Sequence, residues 1–108
     1  MKIKRGDIWL INLDPTIGRE ISKTRPAVII SRSDYNEVAE TATVIPISTG
    51  RYIASFHVPI RELKEDSHAI IPQIRVASKN RLIKKMGTIS EKEIREIELK
   101  LSQYLKIG

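Results

Sequence analysis

"GDIWLINLDPTIGREISKTRPAVIIS", residues 6–31, joins two apolar stretches through a long polar one. Residues 6–13 are rich in β-formers whose side chains alternate between two faces, and this pattern predicts a strand. Residues 26–31 are apolar and β-branched, which predicts a buried strand with Pro26 at its start, where the missing N–H is tolerated. Residues 14–25 predict a loop. A loop of about a dozen residues in a small domain usually serves a function or is mobile.

The middle of the chain predicts further short strands, which proline and glycine separate. Strands are predicted over residues 41–49 and 54–60. Residues 67–78 predict either one long strand or two short strands around Pro72. Because proline cannot donate a ladder hydrogen bond, Pro46 indicates an edge strand or a bulge in the first of these segments.

Helical patterns occupy the remaining segments. Residues 33–40 predict one or two helical turns or a turn, and residues 80–87 predict a helical turn closed by Gly87. Residues 90–108 predict a full helix, which Ser90 and Glu93 begin as an S-x-x-E capping box. The apolar residues of this helix share one face: Ile94, Ile97, Leu101 and Tyr104 or Leu105.

Composition and pattern together predict one β-rich domain spanning residues 1–108. The chain has 108 residues, of which 41% are apolar, enough for a single core. Short strands followed by a terminal helix indicate a small barrel or a strongly bent sheet, with the helix packed on it.

The charge of the chain favours a polyanionic partner. Nineteen Lys and Arg against thirteen Asp and Glu give a net charge of +6. Such a surface attracts nucleic acid or, alternatively, an anionic membrane. There is no cysteine, which excludes disulfides and a thiol nucleophile. The sequence has neither a signal peptide nor a long apolar span, and we expect a cytoplasmic protein.

Arg25 is the first candidate for chemistry in the charged loop. It directly precedes Pro26, which favours an extended backbone at residue 25 and fixes the origin of the guanidinium. A preorganised guanidinium recognises phosphate through paired hydrogen bonds. The alternative is a solvated arginine, or one that forms a salt bridge with Glu20.

Two hydroxyls end the predicted strand 41–49. Ser48 and Thr49 stand directly before Gly50. A hydroxyl at a strand end can bind a phosphate oxygen or relay a proton. The alternative is an ordinary turn before a glycine.

A basic string follows Pro72. Gln73 leads it, and Arg75, Lys79 and Arg81 follow. Gln and Arg side chains can read base edges through paired hydrogen bonds. The alternative is a solvated strand face.

Histidine and aromatic residues are few. Tyr52 and Phe56 lie close to His57 and could stack on bases, although packing is the better reading of Phe56. His57 and His68 are eleven residues apart in sequence, without the spacing of metal ligands. We therefore expect neither a zinc site nor a two-metal site.

Four motifs in order resemble the MazF/PemK-type toxins of toxin–antitoxin pairs. They are "RGDIW" at 5–9, "GREISKTRP" at 18–26, "VIPIST" at 44–49 and "QIRVASKNRL" at 73–82. The second motif fits the family signature G-x-E-x-x-K-x-R-P at every fixed position. The closing "MGTIS" and the terminal helix extend the similarity over nearly the whole chain.

This resemblance implies both a fold and an activity. The fold would be a small SH3-like β-barrel of the CcdB/MazF type with a C-terminal helix, assembled as a homodimer. The activity would be that of an endoribonuclease which cleaves single-stranded mRNA at a short sequence without a metal or another cofactor. A cognate antitoxin protein would bind the same groove.

The resemblance also implies roles for individual residues. Arg25 takes the place of the catalytic arginine, and Ser48 takes the place of a residue that is commonly threonine. Because Thr49 follows immediately, either hydroxyl remains a candidate. The residues expected to contact RNA are Glu20, Lys23, His57, Gln73, Arg75 and Lys79.

Metal-free cleavage would use the 2′-hydroxyl of the RNA as nucleophile, giving 2′,3′-cyclic phosphate and 5′-hydroxyl ends. Such a reaction needs a proton acceptor, a proton donor and a group that stabilises the charged phosphorane. Arg25 suits the stabilising role because guanidinium stays protonated. Glu20 and His57 are more conventional bases.

Two alternatives are a barrel of the same superfamily that binds DNA gyrase without catalysis, and a barrel that only binds nucleic acid. The basic charge fits the second equally well. Neither explains the charged loop signature and the paired hydroxyls.

Overall fold

The computed structural model describes residues 2–13, 23–50 and 54–108. This part of the chain forms strands and two helices in the following order: β1 (Asp7–Asn12), β2 (Thr24–Ile29), α1 (Ser33–Val38), β3 (Thr41–Thr49), β4 (His57–Ile60), β5 (Ser67–Ile70), β6 (Arg75–Ser78), β7 (Leu82–Thr88) and α2 (Glu91–Leu105). Single 3₁₀ turns at Ile71–Gln73 and Lys79–Arg81 flank β6.

The strands form one antiparallel sheet in the order β4-β5-β3-β2-β1-β7. β6 pairs with the first half of β3, beside the stretch that pairs with β5. The mainly β fold with a C-terminal helix is thus confirmed. Between residues 2 and 108, excluding 14–22 and 51–53, no ladder joins the outer strands β4 and β7, so the sheet is open.

Both faces of the sheet carry apolar layers because side chains alternate along each strand. On the face that packs against α2, here called the helix face, Ile8, Val28 and Ile45 lie in one cross-strand row and join the cluster that contains Ile97 of the helix. The opposite face is here called the distal face. Its cluster contains Trp9, Ile11, Ala27, Ile29 and Val44, among others.

The C-terminal helix confirms its sequence signals. The Ser90 hydroxyl oxygen accepts from the Glu93 N–H, and the Glu93 carboxylate accepts from the Ser90 N–H, which completes the capping box. Ile97 is fully buried. Tyr104 meets Phe56 edge-on at a centroid distance of 5.3 Å, so Phe56 has a packing role.

Pro46 lies inside a central strand, and the expectation of an edge strand is wrong. β3 pairs with β2 on one side, and on the other side with β6 through residues 41–44 and with β5 through residues 47–49. The Ile30 N–H donates to the Thr43 carbonyl, so alternation directs the backbone of residue 46 away from β2. The missing N–H therefore falls in the gap between the two other ladders.

Other boundaries also differ from the predictions. Residues 82–88 form strand β7 beside β1 instead of a helical turn, because tertiary pairing overrides the local pattern. Two exposed lysines, Lys84 and Lys85, suit an outer strand. β2 begins at Thr24, so Pro26 is its third residue. Residues 67–78 form two short strands, the second of the two options.

Candidate active site

Arg25 and Ser48 lie on the same face, at the ends of neighbouring strands. Arg25 is the second residue of β2 and pairs with Ile11 of β1, a residue of the distal-face cluster. The last pair of the β2–β3 ladder is Ala27 with Pro46, so Arg25 and Ser48 each lie two residues beyond it. Because side chains alternate along each strand, both residues belong to the distal face, as Ala27 does.

The strand alternation separates the two candidate hydroxyls. Ser48 pairs with His68 of β5, on the same face as Arg25. Thr49 pairs with Ser67, on the helix face, and lines a separate cavity of about 620 Å³ together with Pro26 and other residues. Geometry thus favours Ser48 as the partner of Arg25, although both residues remain predictions.

The Ser48 hydroxyl is weakly engaged. It is half-buried, and its Oγ donates to the Thr49 carbonyl at 3.5 Å, the outer limit for such a bond. A hydroxyl held so loosely is available to a ligand at the strand end.

Lys23 of the charged loop directly precedes β2. It has φ 68°, in the left-handed region, and its carbonyl accepts from the Leu13 N–H at 2.9 Å. This hydrogen bond holds the residue before β2 against the residue that follows β1. Glu20, the other candidate of this loop, lies outside the described residues.

Two arginines of the basic string reach the end of β1, which pairs with the start of β2. Arg75 pairs with Val44, and its Nη1 donates to the Leu13 carbonyl at 3.4 Å. Nη1 of Arg81 donates to the Asn12 carbonyl at 3.1 Å. Both guanidinium groups therefore gather where β1 ends.

Gln73 and Lys79 occupy the two 3₁₀ turns that flank β6. The Lys79 backbone N–H donates to the Glu40 carbonyl at 2.9 Å. Both side chains are half-buried. The structure thus places these two candidates at opposite ends of β6, the strand that begins with Arg75.

The two histidines, separate in sequence, meet in space. His57 of β4 pairs with Ile70 and His68 of β5 pairs with Pro59, so the rings are diagonal neighbours across the β4–β5 ladder. They stack with centroids 4.8 Å apart and planes inclined by 18°. Sequence reasoning missed this contact, because only the pairing of β4 with β5 reveals it.

Burial, and then the charge of His68, lower the pKa of His57 from its ordinary value. Within residues 2–13, 23–50 and 54–108, no three His, Cys, Asp or Glu side chains gather into a group that could hold a metal ion. In the same ranges, no helix is long and apolar enough to cross a bilayer.

A second titrating pair lies away from these residues, where the β4–β5 connection meets α2. Burial, a hydrogen bond to Glu93 and the charge of Glu93 raise the pKa of Glu62 to about 7. Burial alone would raise the pKa of Glu93, but hydrogen bonds from Glu62, Ser90 and the Arg61 backbone outweigh it and lower that pKa. This pair belongs to the helix cap.

The sequence matches a family of toxins. Residues 4–105 match the family described as PemK-like, MazF-like toxins of type II toxin–antitoxin systems, and the chain belongs to this family.

Individual relatives agree with that assignment. The chain is 36% identical to the protein named endoribonuclease MazF of Staphylococcus saprophyticus over 102 residues, which cover 88% of this chain and 84% of that protein. It is 30% identical to endoribonuclease MazF9 of Mycobacterium tuberculosis, covering 97% and 98% of the two chains. Its fold matches crystalline MazF of Deinococcus radiodurans with a TM-score of 0.89 at 20% identity, over 99% of both chains.

Proposed function

We propose that this chain is the toxin of a toxin–antitoxin pair and a sequence-specific, metal-independent endoribonuclease that cleaves single-stranded mRNA. The observation that carries the proposal is that Arg25 and Ser48 lie on the distal face at the ends of neighbouring strands. Family membership and relatives named endoribonucleases support it. An mRNA substrate also implies a cytoplasmic protein.

The proposed reaction is a transesterification within the RNA. The 2′-oxygen attacks the adjacent phosphorus, the bond to the 5′-oxygen breaks, and 2′,3′-cyclic phosphate and 5′-hydroxyl ends result. Arg25 binds the phosphate and stabilises the charge that develops on the phosphorane. Ser48 holds a phosphate oxygen from the neighbouring strand, and Thr49 is the alternative hydroxyl.

The RNA follows the distal face away from this pair. Arg75 and Lys79 contact its phosphates, Gln73 reads a base edge, and Lys23 and Glu20 border the scissile phosphate. His57 lies at the other end, beyond Ser48. The net charge of +6 supports this path, because phosphate contacts dominate affinity for nucleic acid.

The finer architecture is also a proposal. Five strands in the order β6-β3-β2-β1-β7 enclose the distal-face cluster and form an SH3-like barrel, whose outer strands β6 and β7 are joined by the turn Lys79–Arg81. The bonds from Arg75 and Arg81 to the end of β1 bridge this curl.

The assembly has two further components. The chain forms a homodimer and binds a cognate antitoxin protein across the RNA groove. A MazE–MazF complex of Deinococcus radiodurans contains a chain of the same fold, with a TM-score of 0.82 at 17% identity over 100% of this chain and 99% of that one.

The decisive experiment is cleavage of a randomised single-stranded RNA pool in excess EDTA, with both ends of every fragment mapped. We expect discrete cuts with cyclic-phosphate and 5′-hydroxyl ends, and their loss in Arg25→Ala. Arg32→Ala is the matched control, since the Arg32 side chain is 82% exposed and pairs with Asp34 on α1. Cleavage at the wild-type rate by Arg25→Ala contradicts the proposed site. Intact RNA with tight binding by the wild-type protein indicates a non-catalytic binder instead.

A further inference from the structure

The histidine stack lies on the distal face beside Ser48. His68 of β5 is the direct cross-strand partner of Ser48, and β2, which carries Arg25, lies on the other side of β3. His57 stacks on His68 from β4, the next strand. His68 is 5% exposed, whereas His57 is half-buried. His57 is therefore the imidazole of this pair that a ligand reaches more readily.

The surroundings of the stack favour the neutral form of His57. Nδ1 of His57 and Nδ1 of His68 are buried and have no hydrogen-bond partner within the part of the chain that the structure describes. An imidazolium carries N–H on both nitrogens, so protonation would leave a charged donor unpaired at Nδ1. Two stacked imidazolium ions would also repel each other.

Among the described residues, the cross-strand positions beside the rings hold no carboxylate. On the same face, these positions are Ser48 of β3, Pro59 of β4 and Ile70 of β5, none of which titrates near neutral pH. Arg25 of β2 lies on the same face and is a cation.

We propose that His57 accepts the proton of the RNA 2′-hydroxyl, and that His68 positions the His57 ring through the stack. The inference rests on the proposed ribonuclease function and names the missing proton acceptor. As the 2′-oxygen forms its bond to phosphorus, the proton moves to the neutral imidazole of His57. As the bond from phosphorus to the 5′-oxygen breaks, that oxygen takes a proton from water, and the imidazolium returns its proton to the solvent.

The test is a profile of kcat against pH at saturating RNA, for the full protein and for His57→Gln. The wild-type rate should rise with pH and level off once His57 is neutral, which happens below the ordinary histidine range because the pKa is lowered. Loss of a general base costs about 10²–10⁴-fold. His57→Gln should therefore fall at least about 100-fold at pH 7.5 and rise with pH without a plateau, as hydroxide replaces the imidazole.

Two further variants separate the roles. His68→Ala removes the stacked ring and should reduce kcat about tenfold with little change in KM, whereas His68→Phe should restore most of the rate, because the stack needs a ring and no charge. Glu62→Gln is the control for the acid limb, since the pKa of Glu62 is about 7 and its loss should leave the profile unchanged.

A measurement on the wild-type protein guards against misfolded variants. The His57 ring signal is followed by NMR across the same pH range, and its midpoint should coincide with that of the acid limb of kcat. A mismatch overturns the role of His57, as does a retained plateau in His57→Gln. If the wild-type protein cleaves no RNA at all, the proposed function falls together with this inference. If wild type cleaves, Arg25→Ala does not and His57→Gln equals wild type, this inference alone falls.

Discussion

Glu93 connects the start of α2 to the segment that follows β4, and its removal should destabilise the whole domain. Its carboxylate is 3% exposed. It accepts from the Arg61 N–H at 2.9 Å, and from the Ser90 N–H and hydroxyl at 2.9 Å each. Arg61 directly follows β4, so one side chain ties a strand end to a helix cap.

The expected loss for Glu93→Ala follows from these three bonds. A bond to a charged acceptor contributes about 1.5–3 kcal/mol, and all three bonds are partly buried. Arg61 and Ser90 are both exposed, so water replaces part of the lost acceptor, and we assign about 2.5 kcal/mol to the three bonds together. The substitution also removes two unfavourable terms, the burial of the Glu93 carboxylate and its close approach to the Glu62 carboxyl group, and these offset part of the sum. The net loss should be about 2 kcal/mol.

Urea unfolding at pH 7 and one fixed protein concentration measures this loss. With an m-value of about 2 kcal/mol/M, the midpoint should fall by about 1 M. Glu91→Ala is the matched control in the same helical turn, because the Glu91 side chain is 87% exposed and lies 4.0 Å from Arg95. It should lose less than about 1 kcal/mol. Equal losses in the two variants would refute the reasoning, since only the helix dipole would then matter.

Two other variants test the interface and the core. Lys79→Ala should weaken binding to an uncleavable 2′-O-methyl RNA pool and should reduce the slope of log K against log salt concentration by about 0.7. The control Lys92→Ala on α2 should leave that slope unchanged. An unaltered slope in Lys79→Ala excludes a phosphate contact. Ile97→Ala should lose about 2–5 kcal/mol of unfolding free energy in urea, because Ile97 is fully buried. Leu99 is 53% exposed, so the control Leu99→Ala should lose less than about 1 kcal/mol. A similar loss at both positions would contradict the packing of α2 on the helix face.

The parts of the fold that sequence predicts well are those decided by local chemistry. The Ser90–Glu93 box fixes the helix start because both partners lie within one turn. Strand β3 follows from a run that is rich in β-branched residues. Strand β7 was predicted wrongly, because residues 82–88 carry polar and apolar side chains whose conformation β1 imposes from the other end of the chain.

In the candidate site, too, local sequence predicts some residues, whereas strand pairing decides others. Arg25 stands out in sequence because Pro26 follows it, and the family motif surrounds both. His68 has no such signal, since its relation to Ser48 depends on how β5 pairs with β3, and its relation to His57 depends on how β4 pairs with β5. The separation of eleven residues between the histidines does not predict that their rings stack, because a hairpin brings together residues whose sequence separation has no fixed value.

Pro46 links the fold to the candidate site, because it limits the register of β3 and therefore the face on which Ser48 lies. A slip of β3 by one residue would exchange the faces of Ser48 and Thr49 and would turn residue 46 toward β2, where an N–H is required. If β3 moved by two residues in either direction, Pro46 would leave the gap between the β5 and β6 ladders and lie beside one of those strands. The observed register satisfies both conditions. A residue without a donor thus limits, from two positions away, which of the two hydroxyls lies on the distal face with Arg25 and His68.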